Sequence, residues 1–157
     1  MSLRLLIVII LATLVLPRTA TAERGRVRTD AVAVLGKSPL LRVTEPGVGV
    51  GLGLGWDEFL EGRVRGLFHR PDAIEATVGL AGRLDILRWV PVAEVSLGWA
   101  TVGAVHSPIV RFELGTDWLL NRQWYLLARG SARAAFAEEL RGVSMMGVFG
   151  FGRAWGF

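Results

Sequence analysis

The chain reads as an all-β protein, an eight-stranded antiparallel up-and-down transmembrane β-barrel that follows a cleaved N-terminal signal peptide. Three observations predict this. Residues 1–22 have the pattern of an export leader. From about residue 47 to the end, apolar and polar residues alternate with a period of two. The alternating runs are about 9 to 15 residues long, enough for a spanning strand of roughly 9–11, whereas soluble strands usually have about 5–6.

In the leader, Arg4 supplies a positive start, Leu5 to Leu16 an apolar run, and Pro17-Arg18 a break. Ala20-Thr21-Ala22 offers small residues for cleavage after Ala22. The apolar run is too short for the roughly 20 residues of a spanning helix. No comparable run follows it, so no second membrane helix is expected, and the length fits one barrel domain over residues 23–157. Losing Arg4 and Arg18 halves the formal net charge of +4, and with it the case for a nucleic-acid partner. The absence of Cys removes a disulfide framework and any thiolate metal site.

The first strand is expected at 26–36, with Val27, Ala31, Ala33 and Leu35 on one face; its alternation is the weakest. In the second, at 46–55, every other residue from Gly47 to Gly55 is glycine, set between Val48, Val50, Leu52 and Leu54. The third, at 58–69, opposes Leu60, Gly62, Val64, Gly66 and Phe68 to Glu61, Arg63, Arg65, Leu67 and His69. The fourth, at 73–86, opposes Ile74, Ala76, Val78 and Leu80 to Glu75, Thr77, Arg83 and Asp85. The fifth, at 90–103, sets Ala93, Val95, Leu97 and Trp99 against Glu94, Ser96, Gly98 and Ala100. The sixth, at 107–119, sets Val110, Phe112, Leu114 and Trp118 against Arg111, Glu113, Gly115 and Asp117. The seventh, at 122–136, sets Trp124, Leu126, Ala128 and Ala132 against Tyr125, Leu127, Arg129, Ser131 and Arg133. The eighth, at 143–157, carries Met145, Phe149, Phe151, Trp155 and Phe157 on one face and small residues on the other.

A helix, with a period of 3.6, cannot present such faces. A membrane barrel turns the apolar face to lipid and the polar face inward. A soluble periplasmic barrel or sandwich would bury the apolar face instead. Export together with long strands favours the membrane barrel. The strand glycines then leave room for larger neighbours in a narrow interior.

Eight is an even number, as bacterial single-chain barrels have. With both termini periplasmic, the turns after the second, fourth and sixth strands lie at the same end. Trp56, Trp89, Trp118, Trp124 and Trp155 gather at that end with Phe157, forming a periplasmic aromatic rim. Tryptophan suits a membrane–water interface because its ring is apolar and its N–H polar.

These residues resemble the small bacterial outer-membrane β-barrels of the OmpA/OmpX type. The resemblance covers most of residues 46–157 and is one of fold class. The segment Leu84-Asp85-Ile86-Leu87-Arg88-Trp89-Val90-Pro91 is similar to a strand–turn–strand found in this broad group. The terminal Gly156-Phe157 resembles the signal read by the barrel-assembly machinery. The resemblance therefore implies that machinery as a partner during biogenesis, Phe157 as the assembly signal, and the outer membrane as location, with its lipid as surroundings. Arg153 departs from the pattern by sharing the apolar face, and is expected to snorkel at the rim.

The inward positions of the second to eighth strands carry six acids, Glu61, Glu75, Asp85, Glu94, Glu113 and Asp117. They carry six bases, Arg63, Arg65, Arg83, Arg111, Arg129 and Arg133. Unpaired charge in a narrow interior is expensive, so a matched network is expected. Eight strands leave an interior that side chains fill. The expected protein is a plugged barrel with a structural or interaction role in the envelope. A narrow or gated solute or ion pathway is the alternative. A lipid-modifying enzyme is less favoured: His106 and Ser107 are adjacent, so they point to opposite faces, and the His-x-Ser arrangement of lipid A deacylases is lacking. No catalytic, metal or cofactor site is expected. The glycine run at 47–55 reads as strand, since a phosphate loop would turn into a helix.

Overall fold

The computed structural model describes residues 26–37, 44–56, 59–69, 72–84 and 88–156. The export leader, Asp85 and Phe157 lie outside the described residues. Eight strands follow one another: β1 Arg26–Lys37, β2 Thr44–Gly55, β3 Leu60–His69, β4 Ala73–Arg83, β5 Trp89–Val102, β6 Val105–Leu119, β7 Trp124–Ala135 and β8 Gly142–Trp155. Each pairs antiparallel with its neighbours in sequence, and β1 closes the cylinder against β8 through the register Val27↔Trp155 to Lys37↔Met145. Closure removes the unpaired strand edges that an open sheet would expose.

The start of β1, the end of β8 and the β2–β3, β4–β5 and β6–β7 connections share one end, here called the terminal rim. The β3–β4, β5–β6 and β7–β8 connections share the other.

Burial alternates residue by residue along the strands. The outer face carries large apolar side chains in the open; Val78 and Trp99 are each 61% exposed. The inner face holds the charges: Glu61, Arg65, Glu75, Arg111, Glu113 and Asp117 are all 2% exposed or less. A soluble barrel would have these faces the other way round.

β2 explains how so many long side chains fit. Its glycines face inward and leave the wall bare. A Cβ at Gly47 would meet the His69 imidazole, at Gly49 Leu67, at Gly51 the Asp30 carboxylate and at Gly53 the Glu61 carboxylate. The glycine strand is therefore a shelf over which side chains from β1 and β3 lie.

Several strand ends differ from the sequence expectation. β3 begins at Leu60 rather than 58, after a turn closed by Trp56 N–H to the Leu60 carbonyl (3.1 Å). β4 is described to Arg83, and the expected strand residues 85–86 lie outside the described residues. β7 begins at Trp124 rather than 122, because Asn121 Oδ1 accepts the N–H groups of Gln123 (2.8 Å) and Trp124 (2.9 Å) and holds the preceding residues in a turn. β6 begins two residues early, at Val105, because the β5–β6 connection is only Gly103-Ala104. Gly103 takes φ 58°, a left-handed conformation that glycine adopts without a Cβ clash. A short 3₁₀ turn, Glu138–Leu140, lies between β7 and β8.

The interior is also less uniformly polar than expected. Val32, Val34, Leu67, Tyr125, Leu127, Met146 and Val148 form a buried apolar cluster along β7, β8, β1 and β3. Smaller apolar clusters sit at Ala81, Val90 and Val92 and at Ala100, Ile109 and Ala135, and charges occupy much of the wall between them.

Candidate functional site

The lumen gathers most of the charged side chains singled out in the sequence. Near the terminal rim, Glu61 accepts from Arg63 Nε (2.6 Å) and lies 3.6 Å from Arg83. Asp117 accepts from Arg129 (2.6 Å) and sits 3.3 Å from Arg28. At mid-height, Glu94 lies among Arg63 (3.1 Å), Arg129 (3.4 Å) and Arg65 (3.7 Å). Glu113 receives Arg65 Nη1 on both oxygens, at 2.6 and 2.7 Å. At the far end, Glu75 accepts from Arg111 and Arg133, and His69 Nε2 approaches it at 3.4 Å.

These contacts join end to end. One path runs from Arg28 through Glu61, Arg63, Glu94, Arg65, Glu113, Arg111 and Glu75 to Arg133. Charge therefore alternates in sign from one mouth to the other. Each buried ion has a counter-ion, which offsets the several kcal/mol that burying it costs.

The register makes this necessary. Glu94 on β5 lies directly opposite Glu113 on β6, and Arg111 on β6 directly opposite Arg133 on β7. Like charges so placed repel. Arg65 and Arg129 stand between the two glutamates, and Glu75 between the two arginines.

Three members of the lumen were absent from the sequence selection. Arg28 and Asp30 come from β1, and His69 from the end of β3. The signal was present: Arg28 and Asp30 alternate with Val27 and Ala31, and His69 shares a face with Arg65. Arg28 also lies over the Tyr125 ring, 3.9 Å from its centre, while Tyr125 donates to the Thr29 carbonyl (3.2 Å).

His106 and Ser107 lie on opposite faces. His106 pairs with Thr101 Oγ1 (3.0 Å) outside. Ser107 is fully buried, and its Oγ accepts the N–H groups of Phe136 and Ala137 (3.0 and 2.9 Å). Among the described residues no cluster of His, Cys, Asp or Glu is arranged to hold a metal ion.

At the terminal rim, Trp89 pairs in register with Trp118, Trp124 with Arg153 and Trp155 with Val27. The Trp56 ring lies against Gly62, whose lack of a side chain makes the place for it. Arg153 is half-buried on the outer face, its guanidinium 5.5 Å from the Trp124 ring centre and 5.2 Å from that of Trp155.

By shape, this cylinder matches solved membrane barrels. The N-terminal β-barrel domain of Pseudomonas aeruginosa OprF superposes with a TM-score of 0.71 at 8% identity, over 84% of this chain and 98% of that one. Neisserial surface protein A gives 0.56 at 16% identity, over 85% and 97%. The outer membrane enzyme PagL gives 0.53 at 13%, over 78% and 97%. The fold is that of the small outer-membrane β-barrels. No family model matches the chain, and no curated protein matches it by sequence. At these identities the likeness is one of fold; the same eight strands carry an enzyme in PagL and other proteins beside it.

Proposed function

We propose that this protein is a closed outer-membrane barrel with a structural or interaction role in the envelope, exported by its N-terminal leader and inserted by the barrel-assembly machinery. The observation that carries this reading is the unbroken chain of ion pairs from Arg28 to Arg133. A conducting barrel needs a water-filled path, and open porins use 16–18 strands to leave one. Here the lumen wall is occupied by arginines and carboxylates that neutralise one another, with the apolar cluster beside them. The outward apolar face and the tryptophan rim support a bilayer as surroundings.

Reconstitution of the full chain into planar bilayers tests the closed state. Insertion with no steady conductance above the bare membrane is expected. Reproducible unitary steps that scale with salt would replace the closed barrel by a narrow ion pathway.

A further inference from the structure

On the reading that the barrel spans a bilayer, we infer that the terminal rim is a binding surface for anionic phospholipid headgroups. Among the described residues, the rim carries arginines from the β4–β5 connection round to β8. The arc starts at Arg88 in the β4–β5 connection, whose carbonyl accepts the Leu119 N–H (2.7 Å) at the end of β6. It passes through Arg122 in the β6–β7 turn, where Leu120 N–H bonds the Trp124 carbonyl (2.9 Å). It continues to Arg153 on β8, the register partner of Trp124. Arg88 and Arg122 are exposed and Arg153 is half-buried. None of the three forms an ion pair among the described residues.

The arc is also aromatic. Trp89 follows Arg88 in the chain and pairs with Trp118; Trp124 stands two residues after Arg122; Trp124 and Trp155 flank Arg153. Apolar rings at the edge of the hydrocarbon hold the barrel at one height, so the guanidinium groups sit at the level of lipid phosphates. Arg153 donates to Gln123 Oε1 (3.4 Å), and the aromatic rings on either side aim its planar fork. Such a fork matches phosphate oxygens. Among the described residues, the opposite rim exposes the acids Asp72, Glu138 and Glu139 with Arg141. The basic arc therefore belongs to the leaflet on the side of the termini.

A lipid with a net negative headgroup, such as phosphatidylglycerol, is thus preferred at this rim over zwitterionic phosphatidylcholine. Tryptophan quenching tests it. The full chain is reconstituted in mixed vesicles in which one lipid or the other carries brominated acyl chains. Brominated phosphatidylglycerol is expected to bind roughly fivefold better than brominated phosphatidylcholine, the scale set by an arginine at an anionic surface. The preference falls towards unity in R88Q/R122Q/R153Q, and in the unaltered chain at about 0.5 M salt. Equal quenching by the two lipids, or an unchanged preference in the triple variant, overturns the inference. Inorganic phosphate at fixed ionic strength is expected to leave the preference intact; its loss would reassign the arginines to free phosphate and overturn the lipid assignment. Where the triple variant lacks the heat-shifted gel band of a folded barrel, R122Q alone supplies the comparison, because Arg122 lies in an exposed turn. Quenching by neither lipid would instead strike at the membrane-spanning reading itself, and the inference would fall with it.

Discussion

Arg65 on β3 and Glu113 on β6 meet across the lumen, although neither strand neighbours the other. Arg65 Nη1 donates to both carboxylate oxygens, at 2.6 and 2.7 Å, and ties opposite walls of the cylinder together. Removing one member takes from the other its nearest counter-ion, at a cost of about 1–3 kcal/mol, because Arg129 still faces Glu113 and Glu94 still faces Arg65. Arg65→Met and Glu113→Gln should each lower the unfolding free energy read from urea titration of the reconstituted barrel by a change of that order. The double variant should cost less than the sum, with a coupling of at least about 1 kcal/mol. Additive losses would show that the contact contributes little of its own.

The glycine shelf on β2 yields a steric prediction. Gly51→Ala drives a methyl group into the Asp30 carboxylate, so the barrel should lose about 1–3 kcal/mol. Gly66→Ala, where a Cβ meets nothing within 4 Å, should change stability by less than about 0.5 kcal/mol. Shortening the obstacle in Asp30→Ala should relieve the steric part of the Gly51→Ala penalty. Denaturant titration of the unaltered chain, the three single variants and the Asp30→Ala/Gly51→Ala double variant measures all three effects. Equal costs at Gly51 and Gly66 would mean that β2 glycines do not serve to clear the lumen.

The strand count, the closed meander and the sidedness were legible in the sequence because each rests on a period of two. The Glu61-x-Arg63-x-Arg65 face, for example, can only point one way once Val64 points the other. Partner choice was not legible. Glu94 stands beside Glu113, and Arg111 beside Arg133, so each must find its counter-ion on a strand whose relative height only the closed register determines. Arg28 and Asp30 were obscured by Thr29, which puts a polar residue on the other face of β1 and blurs the alternation there. The apolar wall was hidden for a related reason: Val32, Leu67 and Val148 are ordinary strand residues, and their packing against one another comes from closing β1 on β8.

The terminal aromatic separates assembly from stability. Phe157 follows the last described strand, and the proposed function makes it the group that the assembly machinery reads. A single ring at an interface contributes at most a few kcal/mol of burial. Phe157→Ala should therefore refold in detergent with nearly unaltered yield while membrane insertion in cells falls sharply. Unaltered insertion in cells would remove the recognition role.

At the far mouth, Glu75 holds two arginines. Glu75 is the acceptor for both Arg111 and Arg133, with His69 3.4 Å away, and it is 1% exposed. Glu75→Gln keeps the volume and removes the charge. Two arginines directly opposite each other in register then lose the anion between them, so the variant should be destabilised by about 3–5 kcal/mol. Adding Arg133→Gln removes one of the two facing cations and should restore part of that loss, because the remaining charge on Arg111 still has Glu113 3.7 Å away. Conductance should stay absent in both variants, since the Arg65–Glu113 tie and the Glu94 and Asp117 clusters below it are untouched. Urea unfolding of the single and double variants reads the first effect, and planar-bilayer recording the second. A stable Glu75→Gln barrel would show that the arginines of this mouth are solvated from outside. A conducting one would place the only barrier of the lumen at Glu75.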